Sequence, residues 1–205
     1  MSGLRYLRAV PLTLATAAAA LVCAPAARAI GGNYTFDGGN RYERLQVRRA
    51  LGISRFDWGV VPGPVLIHVA RGVPSEALPG QVWLDADLLD AGTFSWGVVQ
   101  HEYAHEVDFL LLDDADHVTL LAELGGQDWC SEALPLPHGA FGCERFASTL
   151  AWSYWPSRAN CMRPQEPNDE SAAMQPGDFR GLVDQLLMRK GVISVSASLR
   201  HPRSP

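Results

Sequence analysis

The sequence is poor in positive charge and especially in lysine. It has 17 Lys+Arg against 22 Asp+Glu, a formal net charge of −5 at pH 7, and its only lysine is Lys190. Nucleic-acid-binding surfaces are normally basic, so the composition gives no support for a nucleic-acid partner. Because 47% of the residues are hydrophobic and 19% are charged, a disordered or collagen-like chain is excluded and a globular protein is indicated.

Long apolar runs are also missing, except at the N-terminus. There, a short segment with two arginines precedes an apolar run from Ala9 to Pro25, and Ala27-Arg28-Ala29 follows with small residues at the −3 and −1 positions of a signal-peptidase site. The alternative, a membrane anchor, is disfavoured because the run is rich in alanine and contains Pro11. We therefore predict a signal peptide over residues 1–29 and a secreted, extracellular protein without membrane contact after cleavage.

The remaining length, residues 30–205, is that of one domain, and we expect a monomer. Three cysteines lie in this domain: Cys130, Cys143 and Cys161. Three cysteines in an oxidising compartment predict one disulfide and one free thiol, and any of the three possible pairs could form the disulfide. We favour Cys130–Cys143, because the Pro- and Gly-rich segment between these two residues can fold back.

Predicted strands come early in the chain and predicted helices come late, which indicates an α+β fold. Alternation and flanking turn residues predict strands over 65–69 and 81–85, whereas residues 30–40 are expected to be a loose N-terminus. Helical periodicity and capping residues predict five helices, over Tyr42–Leu51 (capped by Asn40), Thr93–Leu112 (capped by Thr93), Ala115–Leu124, Ala140–Trp155, and a last one that begins at Asp178.

The segment that indicates chemistry is His101-Glu102-Tyr103-Ala104-His105. Two histidines four residues apart project from one face of a helix, where both imidazoles can bind one Zn²⁺ ion. The glutamate between them points toward the metal-bound water and can accept its proton.

The helical context of this motif strengthens the prediction. With His101 at 0° and about 100° per residue, His105 falls near 40° and Asp108 near −20°. Apolar residues occupy the opposite side, namely Val99, Tyr103, Val107 and Leu110. One face of the helix therefore belongs to the core, and the other carries the metal-binding side chains.

A catalytic zinc site needs a third protein ligand and an open fourth position for water. The extension His-x-x-Gly-x-x-His is absent, because Asp108 and Leu111 stand at those positions. We expect a downstream acid instead and favour Glu144, whose helix has apolar residues that let it cross behind the first. Glu123, Glu132 or an aspartate are the alternatives.

His-Glu-x-x-His on one helix, followed by Glu144 in Glu-x-Phe-Ala on a second, resembles the gluzincin metallopeptidases. The short layout resembles the small bacterial minigluzincins and the catalytic domain of anthrax lethal factor. The resemblance covers roughly residues 65–155. It implies a small zincin-like domain, zinc ligands His101, His105 and Glu144, and Glu102 as general base and acid. It also implies that the strand Gln81–Asp85 edges the cleft and pairs with an extended substrate.

This sequence departs from the thermolysin-type pattern, since Ser148 stands where that pattern has an aspartate. The hydrogen-bond donor to the transition state is also unassigned, with His138 and Tyr154 as candidates. Asp108 is either an acid that accepts an N–H from a ligand histidine or an ordinary surface acid.

Together these features predict a secreted zinc-dependent endopeptidase that hydrolyses peptide or protein substrates through a metal-activated water. Two alternatives stay open: a zinc amidase acting on cell-wall peptides, and a catalytically silent secreted zinc-binding protein. The presence of Glu102 argues against the last, because a structural zinc site needs no base.

Overall fold

The computed structural model describes residues 31–131 and 134–194, so the predicted signal peptide over 1–29 lies outside the described residues. These residues form six α-helices and a four-stranded mixed sheet, which confirms the α+β prediction. Along the chain the elements are β1 (Tyr34–Gly38), α1 (Arg41–Ile53), β2 (Val65–Ala70), β3 (Glu76–Leu78), β4 (Gln81–Asp85), α2 (Ala86–Asp90), α3 (Trp96–Leu111), α4 (Asp114–Leu124), α5 (Gly142–Tyr154) and α6 (Pro176–Arg189).

The strand order is β1-β2-β4-β3, in which β1, β2 and β4 are parallel and β3 is antiparallel to β4. Alternate side chains of β2 and β4 are buried, as the alternating pattern predicts. The expectation of a loose N-terminus was wrong for 34–38, which form β1 by pairing with β2 from Tyr34↔Val65 to Gly38↔Val69. Only Tyr34 of this strand is buried, so its sequence has little hydrophobic signal.

The pairing with an extended substrate that was expected of Gln81–Asp85 is not open to this strand, because it has a neighbouring strand on each side. This strand, β4, lies between β2 and β3, and the three-residue β3 is the outer strand on that side. A strand of three residues, whose outer two side chains are exposed, is too short for a periodic pattern to be recognised.

Helix starts were predicted with mixed success. Asn40 caps α1 in a reciprocal capping box with Glu43, as expected. Thr93 does not cap α3, because residues 92–95 form a short 3₁₀ turn and the helix begins at Trp96. Asp178 is likewise not a cap, since α6 begins two residues earlier, at Pro176.

The core lies between the sheet and the helices, and α3 runs through it. Its buried apolar residues include Val99, Tyr103 and Val107, as the helical projection predicts. Helix α5 packs directly against α3, and Phe146 of α5 is buried beside Phe179 of α6 at 5.8 Å between ring centres. This packing places Glu144 beside the His-Glu-x-x-His segment. No helix of the described residues is long and apolar enough to span a membrane.

Candidate metal centre

His101, His105 and Glu144 lie together at the contact between α3 and α5. The Nε2 atoms of the two histidines are 3.3 Å apart. Glu144 Oε2 lies 3.0 Å from His101 Nε2 and 3.4 Å from His105 Nε2. Three potential ligand atoms from two helices therefore converge on one point.

These separations fit a zinc ion. In a tetrahedral site with Zn–N and Zn–O bonds of 2.0–2.2 Å, neighbouring ligand atoms are about 3.3–3.5 Å apart. The three observed distances lie within a few tenths of an ångström of that edge length. Three protein ligands would leave one position of a tetrahedral ion open for water or another ligand.

The other acids considered as third ligand do not compete with Glu144. Glu123 is exposed near the end of α4 and belongs to none of the metal-capable groups found in residues 31–131 and 134–194. Glu132 lies outside the described residues.

The electrostatics of the group agree with an ionised third ligand. Burial acts to raise the pKa of Glu144, but hydrogen bonds from His101, His105 and His138 hold that pKa well below its usual range. A carboxylate without its proton is the form that binds a metal.

Glu102 lies between the two histidines in sequence and is 7% exposed. Its burial raises the pKa of the carboxyl group, while the charges of His101 and His105 act in the opposite direction. A raised pKa makes it easier for this carboxylate to take up a proton.

His101 belongs to a closed ring of hydrogen bonds that also includes Ser148, Glu170, His138 and Glu144. Because the carboxylate of Glu170 can only accept, the Ser148 hydroxyl donates to its Oε2 at 2.9 Å. Ser148 Oγ then accepts from His101 Nδ1 at 3.1 Å, which turns Nε2 toward Glu144 Oε2 and the point where a metal would bind. His138 closes the ring by donating from Nδ1 to Glu170 Oε1 at 2.7 Å and from Nε2 to Glu144 Oε2 at 3.0 Å.

Glu170 was not predicted from the sequence. It lies in a short 3₁₀ turn, Glu170–Ala172, in a part of the chain for which no helix or strand was predicted. No local pattern marks it, since its contacts with Ser148 and His138 join residues 22 and 32 positions apart. Ser148 stands where the thermolysin-type pattern has an aspartate, and here it connects His101 to a carboxylate farther along the chain.

Of the two predicted transition-state donors, only His138 lies at the centre. It forms ion pairs with Glu144 and Glu170, which raise its pKa to about 10, so its imidazole carries both N–H groups. Tyr154 is buried in the core against Phe56, and its hydroxyl has no hydrogen-bond partner within the described part of the chain. Tyr154 therefore does not serve as the donor.

Asp108 is buried, but it does not hold a ligand histidine. Its Oδ1 accepts from His117 Nε2 at 2.7 Å, and both of its oxygens lie within hydrogen-bond range of Trp129 Nε1. Both interpretations of Asp108 offered by the sequence were thus wrong. It joins α3 to α4 and to the loop that follows α4.

Glu106 is a second carboxylate that the sequence did not indicate. Although it follows His105, it is completely buried and its Oε2 accepts from the backbone N–H of Gly80 at 2.8 Å. Burial raises its pKa to about 7. This contact fixes the turn between β3 and β4 against the helix that carries the two histidines.

The disulfide prediction is confirmed. Cys130 is bonded to Cys143, and Cys161 is the free cysteine of residues 31–131 and 134–194. The bridge closes the loop that carries His138 and ties it to the first turn of α5, one residue before Glu144.

We predict that Glu170→Gln will weaken zinc binding by about 10-fold, the lower end of the effect of losing a group that orients a metal ligand. An amide cannot accept from both Ser148 and His138 as the carboxylate does. Competition with a chromogenic chelator measures the affinity. Glu166→Gln, an exposed change in the same segment, should stay within about a factor of two. Equal affinities in the two variants would contradict a role for Glu170 at the centre.

Comparisons of the chain with protein-family models, with curated proteins and with solved structures found no match.

Proposed function

We propose that the protein is a secreted, zinc-dependent endopeptidase. The observation that carries the proposal is the group formed by His101, His105 and Glu144, whose ligand atoms are 3.0–3.4 Å apart. The resemblance of the His-Glu-x-x-His and Glu-x-Phe-Ala segments to the gluzincin metallopeptidases supports the same conclusion.

A zinc ion at this site would lower the pKa of a coordinated water toward about 7 and polarise the carbonyl to be cleaved. Glu102 would accept a proton from the attacking water on its carboxylate and deliver it to the leaving amine. His138 lies beside the centre, and its Nε2–H, which donates to Glu144 Oε2, would have to turn to the carbonyl oxygen to stabilise the negative charge that develops there.

The outer edge of the sheet offers a place for an extended peptide. No described strand pairs with the outer side of β3, and such an edge can accept an added strand. Glu106 joins the β3–β4 turn to α3, the helix that carries the two histidines. The proposal thus assigns substrate pairing to β3 rather than to β4.

A cleft beside the hydrogen-bonded ring offers space for substrate side chains. An open cleft of about 370 Å³ is bounded by Ser148 and Glu170 of the hydrogen-bonded ring and by Arg163. Because the lining of this cleft is mostly polar, the cleft favours polar side chains of a substrate.

Hydrolysis of dye-labelled casein tests the proposal. We expect the purified protein to contain about one zinc per chain, to release dye-labelled peptides, to lose this activity with a chelator and to regain it with zinc. Absence of zinc after reconstitution, or activity that a chelator does not change, would contradict the proposal. Turnover of peptidoglycan but not of casein would indicate an amidase, and zinc without turnover of either would indicate a silent binding protein.

A further inference from the structure

Glu144 faces two groups of potential metal ligands. Its Oε2 atom points to the histidine pair, whereas its Oε1 atom lies 3.8 Å from the sulfur of Cys143. The sulfurs of Cys130 and Cys143 and a carboxylate oxygen of Glu144 are all within 4.8 Å of one another. While the two sulfurs are bonded to each other, neither can act as a thiolate ligand.

We propose that reduction of the Cys130–Cys143 disulfide creates a second metal site, formed by two thiolates and the carboxylate of Glu144. Two molecules of a thiol reduce the bridge. The S–S bond breaks, each cysteine sulfur gains one electron and one proton, and the reductant leaves as its own disulfide. A divalent cation of borderline softness, such as Zn²⁺, then displaces the two thiol protons and binds both sulfurs.

The geometry requires little rearrangement. With Zn–S bonds of about 2.3 Å and Zn–O bonds of about 2.1 Å, a tetrahedral site places sulfur and oxygen about 3.6 Å apart and the two sulfurs about 3.8 Å apart. The contact of 3.8 Å between Cys143 and Glu144 is already near this value. Once their bond is broken, the two sulfurs must separate, and the Cys130 sulfur, now within 4.8 Å of the carboxylate oxygen, must settle at the same bonding distance.

The two cysteines differ in a way that permits this movement. Cys143 is completely buried in the first turn of α5, so its sulfur stays beside Glu144. Cys130 is exposed and lies in the loop after α4, where a reductant can reach it and its backbone can adjust. The disulfide therefore keeps two strong zinc ligands from binding a metal beside Glu144, whose carboxylate also faces the histidine pair.

Cobalt(II) is the probe, because cobalt–thiolate bonds give an intense near-ultraviolet charge-transfer absorption that imidazole and carboxylate ligands do not. The full chain with Cys23→Ser and Cys161→Ser, which removes the two cysteines outside the bridge, is titrated with cobalt in two forms. One is oxidised, and the other is reduced with dithiothreitol and freed from it anaerobically. We expect the absorption in the reduced form only. Zinc X-ray absorption of the reduced form should show sulfur neighbours at about 2.3 Å.

Further variants distinguish this site from a non-specific one. Cys130→Ser and Cys143→Ser should each lower the charge-transfer absorption of the reduced protein by about half, since each removes one of two thiolate ligands. Glu144→Gln should weaken cobalt binding about 10-fold in both forms, because both sites use its carboxylate.

The proposal is overturned if the reduced protein lacks the absorption, if either serine variant keeps it in full, or if Glu144→Gln leaves the affinity of the reduced form unchanged. Loss of the helical circular dichroism on reduction would overturn it as well, because the site needs an intact α5. These outcomes do not depend on peptidase activity. Failure of the oxidised form alone to bind cobalt would count against the histidine centre and not against the thiolate site.

Discussion

Glu102→Gln is expected to retain its zinc and to lose peptidase activity by roughly 10²–10⁴-fold. Glutamine has nearly the same shape as glutamate but cannot accept the proton of the attacking water. Zinc retention is expected because Glu102 is not one of the three residues whose ligand atoms converge at the centre. Zinc content is measured by elemental analysis and activity by release of dye from labelled casein.

Two further variants serve as controls for this prediction. Glu123→Gln makes the same chemical change at an exposed position and should leave both zinc content and activity near the native values. His105→Ala should lose the metal together with the activity, because it removes a ligand. If Glu102→Gln hydrolysed casein at the native rate, Glu102 would not be the general base.

The identity of the third ligand is tested by the pair Glu144→Ala and Glu123→Ala. Glu144→Ala should weaken zinc binding by about 10-fold or more, even if a water molecule partly replaces the carboxylate. Glu123→Ala should leave the affinity within about a factor of two, as expected for an exposed acid. Competition with a chromogenic chelator compares both variants directly.

The two alanine variants also need a measurement of stability. Glu144 is partly buried and is an ion-pair partner of His101, His105 and His138, so its removal leaves those imidazoles without their acceptor. Thermal unfolding in the absence of zinc separates this effect from the loss of a metal ligand. Native zinc affinity in a folded Glu144→Ala variant would contradict the assignment of this residue.

Several features were predictable because they depend on neighbours in the sequence. His101 and His105 share a helix face through their spacing of four residues, whatever else surrounds them. Strands β2 and β4 follow from alternation of buried and exposed side chains, and the start of α1 follows from the capping box of Asn40. The signal peptide over 1–29 also follows from a local pattern, and it stays a prediction because it lies outside the described residues.

Other features of the site depend on residues that are far apart in the sequence. Glu144 was preferred over Glu123 on the strength of an apolar helix face and a resemblance, and the packing of α5 against α3 brings it to within 3.4 Å of both histidines. Glu170 reaches the centre only through Ser148 and His138, from a turn with no periodic pattern.

The sequence alone determines that the two histidines lie on one face of a helix, with Glu102 between them in the chain. The reason is that 3.6 residues per turn is a property of the helical backbone. Tertiary packing decides which carboxylates face them. Glu106 and Asp108, each within three residues of His105, bind the turn before β4 and the side chain of His117 instead. A buried carboxylate must find a donor wherever the fold places one, and the positions of those donors are set by contacts across the whole domain.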